Sequence, residues 1–567
     1  MMDSWFINRY PERLQIELQA LKDAGYEFDL NEDERKAGRI IITIKYPLDG
    51  EVHDLIVVFP ENYPYFPFEM TSPTFPSGRH KDPYTGSLCL LKDPQKSWKV
   101  KDRLASILDT QLPKITKAHR DISNASNLEA HEATQITGQL HYQPSMVVFT
   151  GEWQIPHGSN HGYISIGLES NNDPNKILRG AVLEVQNKNG GVLATLDNAM
   201  SSRYMEKIDG RWVRLPCAPT STNPADILHE AISIWPDLKT PKFNKGPDIV
   251  GILIPEEVQY GKYHENWFFI VRIKTHAKRG SVTYGHYLVR SDQASFKAMR
   301  ARSPKLSAIA NKKVLIVGLG SLGSVFAWEM ARSGVGSLHL LDFDHLQLGN
   351  IPRWMYGCGA VGHSKAQVLT HYLQHDYPYV KTTFSHHRIG GVKYTHESLS
   401  DLDVLPIALE GIDMIVDTTA EWCVSHYLSE LAKEKGIPYL WATGTPGGWG
   451  GVVGRVVPNQ TAGCWKCYQR HMTDGTIKQP NQEDIPDVQP VGCFHPTFTG
   501  AGFDMDHVTL AVVRLAVSTL CLGEKTAYPN FKWDVGVVDL WEKDGTPIAP
   551  MWHTYKLEKH PECDCHE

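Results

Sequence analysis

The stretch "KKVLIVGLGSLGSVFAWEMARSGVGSLHLLDFD", residues 312–344, reads as strand, glycine turn, helix and a second strand ending in acid. Gly318, Gly320 and Gly323 form G-x-G-x-x-G directly after the apolar run "VLIVG". The first glycine permits a tight turn and the second lets phosphates approach the backbone. The third lets the helix pack on the strand, with its N-terminal amides facing the anion. Asp342 ends the next strand about twenty residues on, where an acid reaches ribose hydroxyls. The pattern points to a nucleotide without saying which, and an NAD enzyme stays open at this point. Downstream, "GIDMIVDTTAEW", "IPYLWATG" and "GGVVGRVV" supply further strands with helices between them. Residues 295–567 therefore read as a mainly parallel, doubly wound, Rossmann-like α/β domain.

The residues that follow discriminate between nucleotides. "LLDFDHLQLGNIPRWMYG" and "VGHSKAQV" add Asp344, Asn350, Arg353 and Lys365. Cations at the mouth of a nucleotide pocket suit a triphosphate under attack, because they stabilise charge developing on the phosphates. Hydride transfer has no such need. Here the chain resembles the adenylation domain shared by ubiquitin-activating enzymes and the sulfur-carrier activators of thiamin and molybdopterin biosynthesis. That family reads G-x-G-x-x-G, then D-x-D-x-V-x-x-S-N-L-x-R-Q, then a basic K-A motif. Gly318 to Gly323, Asp342, Asp344, Asn350, Arg353 and Lys365 stand at those places. The resemblance implies ATP and Mg2+ as cofactors and adenylation of the C-terminal carboxylate of a small protein. The family's D-x-T-D-N motif appears as "DTTAE", with Asp417 in first place and Ala420 and Glu421 in the last two.

Cysteine spacing adds a second chemistry. Cys464-x-x-Cys467 and Cys563-x-Cys565 can meet as a four-thiolate zinc site, with four reduced thiols as the bland alternative. His560 and His566 are substitute ligands. Between the pairs lies "VQPVGCFHPTFTGAGFD", followed by a helical "DMDHVTLAVVRLAVSTLCL". In the thioester-forming members of the resembled family a reactive cysteine sits ahead of that helix, which implies Cys493 as the nucleophile.

The chain's 567 residues suggest three or four domains, and ten cysteines over that length do not make a secreted disulfide framework. A net charge of −7 argues against direct nucleic-acid binding. No apolar window is long enough for a membrane helix and no signal-peptide pattern opens the chain, so a cytoplasmic protein is expected. Residues 1–130 read as helix, short strands and helix, an α+β unit that starts at Pro11 with Leu14, Leu18 and Leu21 on one face. Residues 131–294, a linker and then the strand-like runs "GAVLEVQN", "ENWFFIVRIKT" and "VTYGHYLV" with a helical "NPADILHEAISIW", read as a mixed α/β middle domain without a chemical constellation.

The first 130 residues resemble a ubiquitin-conjugating enzyme. "FPENYPYFP" is similar to that family's F-P-x-x-Y-P-x-x-P, and "GSLCL" and Trp98 follow in order, which places Cys89 at the conjugating cysteine. The family's His-Pro-Asn triplet is replaced by Arg79, His80 and Lys81. A conjugating-like domain fused ahead of an activating domain resembles the CD-NTase-associated protein 2 family of CBASS antiphage operons. The resemblance implies a thioester relay from Cys493 to Cys89, a protein substrate with a flexible C-terminal tail (a cyclic-oligonucleotide synthase or a ubiquitin-like protein), and a homodimer in which Arg302 reaches the neighbouring ATP site. Rival readings are a sulfur-carrier activator, an inactive ubiquitin-binding module, and an NAD-dependent oxidoreductase.

Overall fold

The computed structural model describes residues 9–76, 80–91, 94–120, 135–169, 178–243, 246–259, 262–276, 282–392, 399–484 and 498–564. The chain divides into two compact units, Met1–Ala294 and Ser295–Glu567.

The first unit opens with the helix Pro11–Asp23, which Pro11 starts without a lost hydrogen bond. Its buried face is Leu14, Glu17 and Leu21, so a carboxylate lies where an apolar residue is expected. Glu17 is satisfied there by Tyr63 Oη–H at 2.6 Å, Arg13 Nε–H at 2.8 Å and the Leu104 amide at 2.9 Å. The helix packs on four antiparallel strands in the order Glu27–Leu30, Ile40–Leu48, Glu51–Phe59, Glu69–Thr71. Asp49 and Gly50 both take positive φ in the tight turn that sets the central hairpin register, Leu48 opposite Glu51. The helix Leu104–Arg120 covers the same core with Leu104, Leu108 and Leu112.

The remainder of that unit differs from the mixed α/β expectation. It is an eight-stranded sheet in which Val147–Thr150 pairs with both Val282–Gln293 and Arg179–Gln186, closing seven of the strands into a barrel. Along Asp248–Gln259, Ile249 and Leu253 point into the barrel, while Val250, Ile252 and Ile254 lie under the helix Pro224–Ile234. Both faces are apolar, so the strand has no alternation to announce it.

The second unit is a single eight-stranded sheet. Lys381–His386, Ser337–Asp342, Lys313–Val317, Met414–Asp417 and Tyr439–Gly444 run parallel in that spatial order. Chain order reverses beside Lys313–Val317, a switch point where a crevice opens at the strand ends. Three antiparallel strands, Gly450–Val456, Val535–Trp541 and Pro547–Tyr555, extend the sheet beyond the expected mainly parallel arrangement. The helix Gly502–Leu520, buried along most of its length, packs on Ser321–Arg332 and on the strands Tyr439–Gly444 and Gly450–Val456.

Candidate active site

The crevice at the switch point is built by the glycine turn. Gly318 takes φ +83°, and a Cβ there would lie 2.9 Å from the Thr419 amide. A Cβ on Gly323 would sit 1.9 Å from the Gly318 carbonyl oxygen, so only glycine lets the helix Ser321–Arg332 start this close to its strand. Gly320 caps that helix, and its Cβ position faces open space. The turn borders two lobes of about 230 and 220 Å³. Gly320, Lys365 and Thr418 line both lobes, which makes them one cleft.

Lys365 begins the helix Lys365–Asp376 and is buried, with Nζ 2.5 Å from Asp344 Oδ2. Asn350 and Arg353 line the first lobe with Trp354, Phe498 and Met505. Arg353 Nη1–H donates to the Phe498 carbonyl and its guanidinium lies over the Phe498 ring; burial lowers its pKa. Asp342 lines the second lobe, and its oxygens accept from the Leu319 amide at 2.5 Å and the Asp344 amide at 2.7 Å. It braces the glycine turn. Burial raises its pKa against the opposing pull of Lys365.

Asp417 is placed differently. It is 1% exposed, and its oxygens accept from the Thr419 amide and hydroxyl at 2.9 and 2.7 Å and from Tyr439 Oη–H at 2.7 Å. It does not line the cleft, whereas exposed Glu421 does. Arg302 is exposed and lines neither lobe.

On the same unit, Cys464 Sγ lies 3.7 Å from both Cys467 Sγ and Cys563 Sγ. Tetrahedral Zn–S bonds of about 2.3 Å place sulfurs about 3.8 Å apart, so the three thiols fit zinc. The His560 amide donates to Cys467 Sγ at 3.3 Å, and its imidazole meets Asp474 at 3.2 Å, which fastens the cysteine-bearing tail to the helix Trp465–Thr473. Cys565 and Cys493 lie outside the described residues, as do Arg79 and His566.

On the other unit Cys89 is exposed, with its amide donating to the His80 carbonyl at 2.7 Å. Its thiol opens on a groove of about 690 Å³ lined by Val58, Phe66, Met70, Leu88 and Leu91 among others. Trp98 Nε1–H donates to the Pro64 carbonyl at 2.8 Å, so the tryptophan of the opening domain fixes the proline-rich turn.

Residues 291–564 match the ThiF family model. The C-terminal half of the chain is thus a ThiF domain. An uncharacterized protein, y4oA, of Sinorhizobium fredii (strain NBRC 101917 / NGR234) is 28% identical over 99% of this chain and 98% of its own length. The ATP-dependent ubiquitin transferase-like protein Cap2 of Enterobacter hormaechei is 35% identical over 24% of this chain and 21% of its own. The sulfur carrier protein ThiS adenylyltransferase of Escherichia coli (strain K12) is 28% identical over 28% of this chain and 59% of its own. A crystal structure of E. coli MccB with ATP is 17% identical, covering 46% of this chain and 68% of that chain at TM-score 0.34.

One residue of the ThiF domain escaped the sequence reading. Trp354 Nε1–H donates to the Leu319 carbonyl at 2.7 Å and so holds the same residue of the glycine turn whose amide donates to Asp342. Its position directly after Arg353 is the signal that was there to find. Ala420 lines the cleft at φ +57°, a left-handed conformation that costs a non-glycine residue about 1 kcal/mol or more. Among the described residues no helix is long and apolar enough to cross a membrane.

Proposed function

We propose that the chain activates the C-terminal carboxylate of a partner protein with ATP and relays the acyl group through two of its own thiols to an acceptor. The observation that carries the reading is the single cleft in which the glycine turn, Lys365 and Arg353 meet. A carboxylate oxygen attacks the α-phosphorus of ATP, the bond to pyrophosphate breaks, and an acyl adenylate forms. Lys365 and Arg353 stabilise the charge that gathers on the phosphates. Mg2+ bound with the nucleotide supplies further neutralisation. Asp417 has its acceptors engaged by Thr419 and Tyr439, so Glu421, which lines the cleft, is the carboxylate placed to hold the metal.

The Cys493 thiolate then attacks the acyl carbon and AMP leaves; the Cys89 thiolate displaces Cys493; and an acceptor nucleophile displaces Cys89. Thioester exchange between thiols is close to isoenergetic, so the carboxyl group stays activated throughout. An exposed Cys89 opening on a groove favours this relay. Within it, the CBASS-type reading makes a cyclic-oligonucleotide synthase the activated protein, supported by the likeness to Cap2. The assembly is a homodimer with Arg302 directed to the neighbouring cleft, and Cys464, Cys467, Cys563 and Cys565 hold one structural zinc.

A second reading, adenylation of a separate ubiquitin-like or sulfur-carrier protein, is favoured by the likeness to the ThiS adenylyltransferase. Intact mass spectrometry after incubation with Mg2+, ATP and lysate of cells carrying the native operon separates the two. An ATP-dependent protein adduct on Cys89 supports the relay. ATP turnover to AMP with no adduct on Cys89 selects the second reading. Binding of NAD in preference to ATP overturns both.

A further inference from the structure

The turn that leads to Cys89 is tied down at its base by its own domain and at its tip by the barrel. Asp82 Oδ1 accepts from the Tyr84 amide at 2.8 Å and the Thr85 amide at 3.2 Å, and the Gly86 amide donates to the Asp82 carbonyl at 3.0 Å. Gly86 takes φ +70°, which lets its carbonyl accept from the Ser72 amide at 2.9 Å. Leu88 donates to the Met70 carbonyl at 2.8 Å, so the base of the turn is stitched to the sheet. The tip leaves the sheet. Tyr84 Oη–H donates to the Pro219 carbonyl at 2.9 Å, and its ring packs on the apolar layer that Leu140, Leu215, Leu228 and Ile252 form over the barrel. Burial, with nearby acids, pushes the phenol up to about 12, so it remains a donor throughout the neutral range.

We propose that Tyr84 is a positioning residue: by anchoring the turn on the barrel it fixes where Cys89 presents its thiol, which gives the middle domain a role in acyl transfer. This rests on the reading of Cys89 as an acyl acceptor. Acyl transfer needs the sulfur within about 3–3.5 Å of the carbonyl carbon at a defined angle, and a misplacement of about 1 Å costs on the order of a hundredfold. A turn held only at its base keeps the freedom to swing its tip, and Cys89 lies five residues beyond Tyr84. A second hydrogen-bonded anchor, on the barrel of the same compact unit, removes that freedom.

The test uses the full chain and two variants. Tyr84→Phe keeps the packed ring and loses the bond to Pro219; Tyr84→Ala loses both. Loading of Cys89 is followed against ATP concentration. The expected result is a kcat lower by about tenfold or more in Tyr84→Ala and by less in Tyr84→Phe, with the initial burst of pyrophosphate unchanged. Unchanged kcat in Tyr84→Ala, or a change confined to KM, overturns the proposal. Hydrogen exchange at the amides of residues 84–89 and alkylation of Cys89 by iodoacetamide, with exposed Cys217 as internal reference, test the positioning without any turnover. Both are expected to change in Tyr84→Ala. If both match wild type, the anchor does not position the thiol. A wild-type chain that never carries an adduct on Cys89 overturns the relay instead, and exchange and alkylation then still decide the anchor.

Discussion

Lys365 Nζ and Asp344 Oδ2 are 2.5 Å apart, the lysine buried between the two lobes of the cleft and the aspartate half exposed on the wall of the second. The carboxylate holds the ammonium group in place before any phosphate arrives, so its charge needs little reorganisation when a triphosphate enters. Replacing Lys365 or Arg353 by alanine is expected to lower pyrophosphate exchange, measured with the cognate protein, by about a hundredfold. Unchanged exchange in both variants would remove the assignment of this cleft to adenylation.

The glycine turn separates folding from binding. Gly323→Ala drives a methyl group into the Gly318 carbonyl, and the helix must move, so a lower melting temperature is expected together with loss of nucleotide. Gly320→Ala meets open space, and its melting temperature should match wild type. Titration with a fluorescent ATP analogue should nonetheless show weaker binding, because the new methyl group occupies the approach to the helix amides. Equal affinity in Gly320→Ala would place the phosphates elsewhere.

Zinc analysis tests the thiol cluster directly. Protein purified without chelator is expected to carry about one zinc per chain, and Cys464→Ser to carry less than about half of that with a lower melting temperature. Zinc content equal in the two proteins would make the cysteines mere neighbours.

The order of the relay makes two variants differ. Cys493→Ala should release pyrophosphate yet load neither thiol. Cys89→Ala should accumulate the acyl group on Cys493 and stop there. Non-reducing gels with labelled substrate protein distinguish them, and normal conjugation by Cys89→Ala would remove Cys89 from the relay.

His339 makes the second unit acid-sensitive. It lies in the strand Ser337–Asp342, with Nδ1 2.8 Å from Thr383 Oγ1 and Nε2 2.9 Å from Ser385 Oγ, and burial lowers its pKa from 6.5 to about 4. Between those values the unfolded chain binds a proton that the folded chain does not. Stability is therefore full above pH 6.5 and falls as pH drops towards 4, by about 3 kcal/mol over the window. Thermal melts at pH 7 and pH 4.5 should show a larger drop in wild type than in His339→Gln, which cannot titrate.

Where one residue type has one physical use, the sequence announces it. Gly318 and Gly323 are required by a positive φ and a close approach, and both stand out by spacing alone. Cys464 and Cys467 were legible for the same reason, since a spacing of two intervening residues brings their sulfurs together at the start of one helix. Glu17 was not, because a charged residue on an apolar helix face makes sense only once Arg13, Tyr63 and Leu104 are brought around it. Residues 249–254 of the barrel strand Asp248–Gln259 are continuous in their apolar character because both faces are covered, and that reads equally as helix or strand. Tyr84 gives no local signal at all, as its partner is a backbone carbonyl far along the chain.

The barrel closes late. Its seam joins Val147 to Arg290, partners roughly 140 residues apart, so on a ribosome the first strand of the barrel waits for the last before the ring can shut. Until then Val147–Thr150, even once paired with Arg179–Gln186, keeps one edge open, and such edges recruit other chains. Slow translation between residues 150 and 290 should raise aggregation of nascent chains more than equal slowing after residue 295, where the next unit begins. Synonymous codon choice in that window is then a determinant of how much working protein a cell obtains.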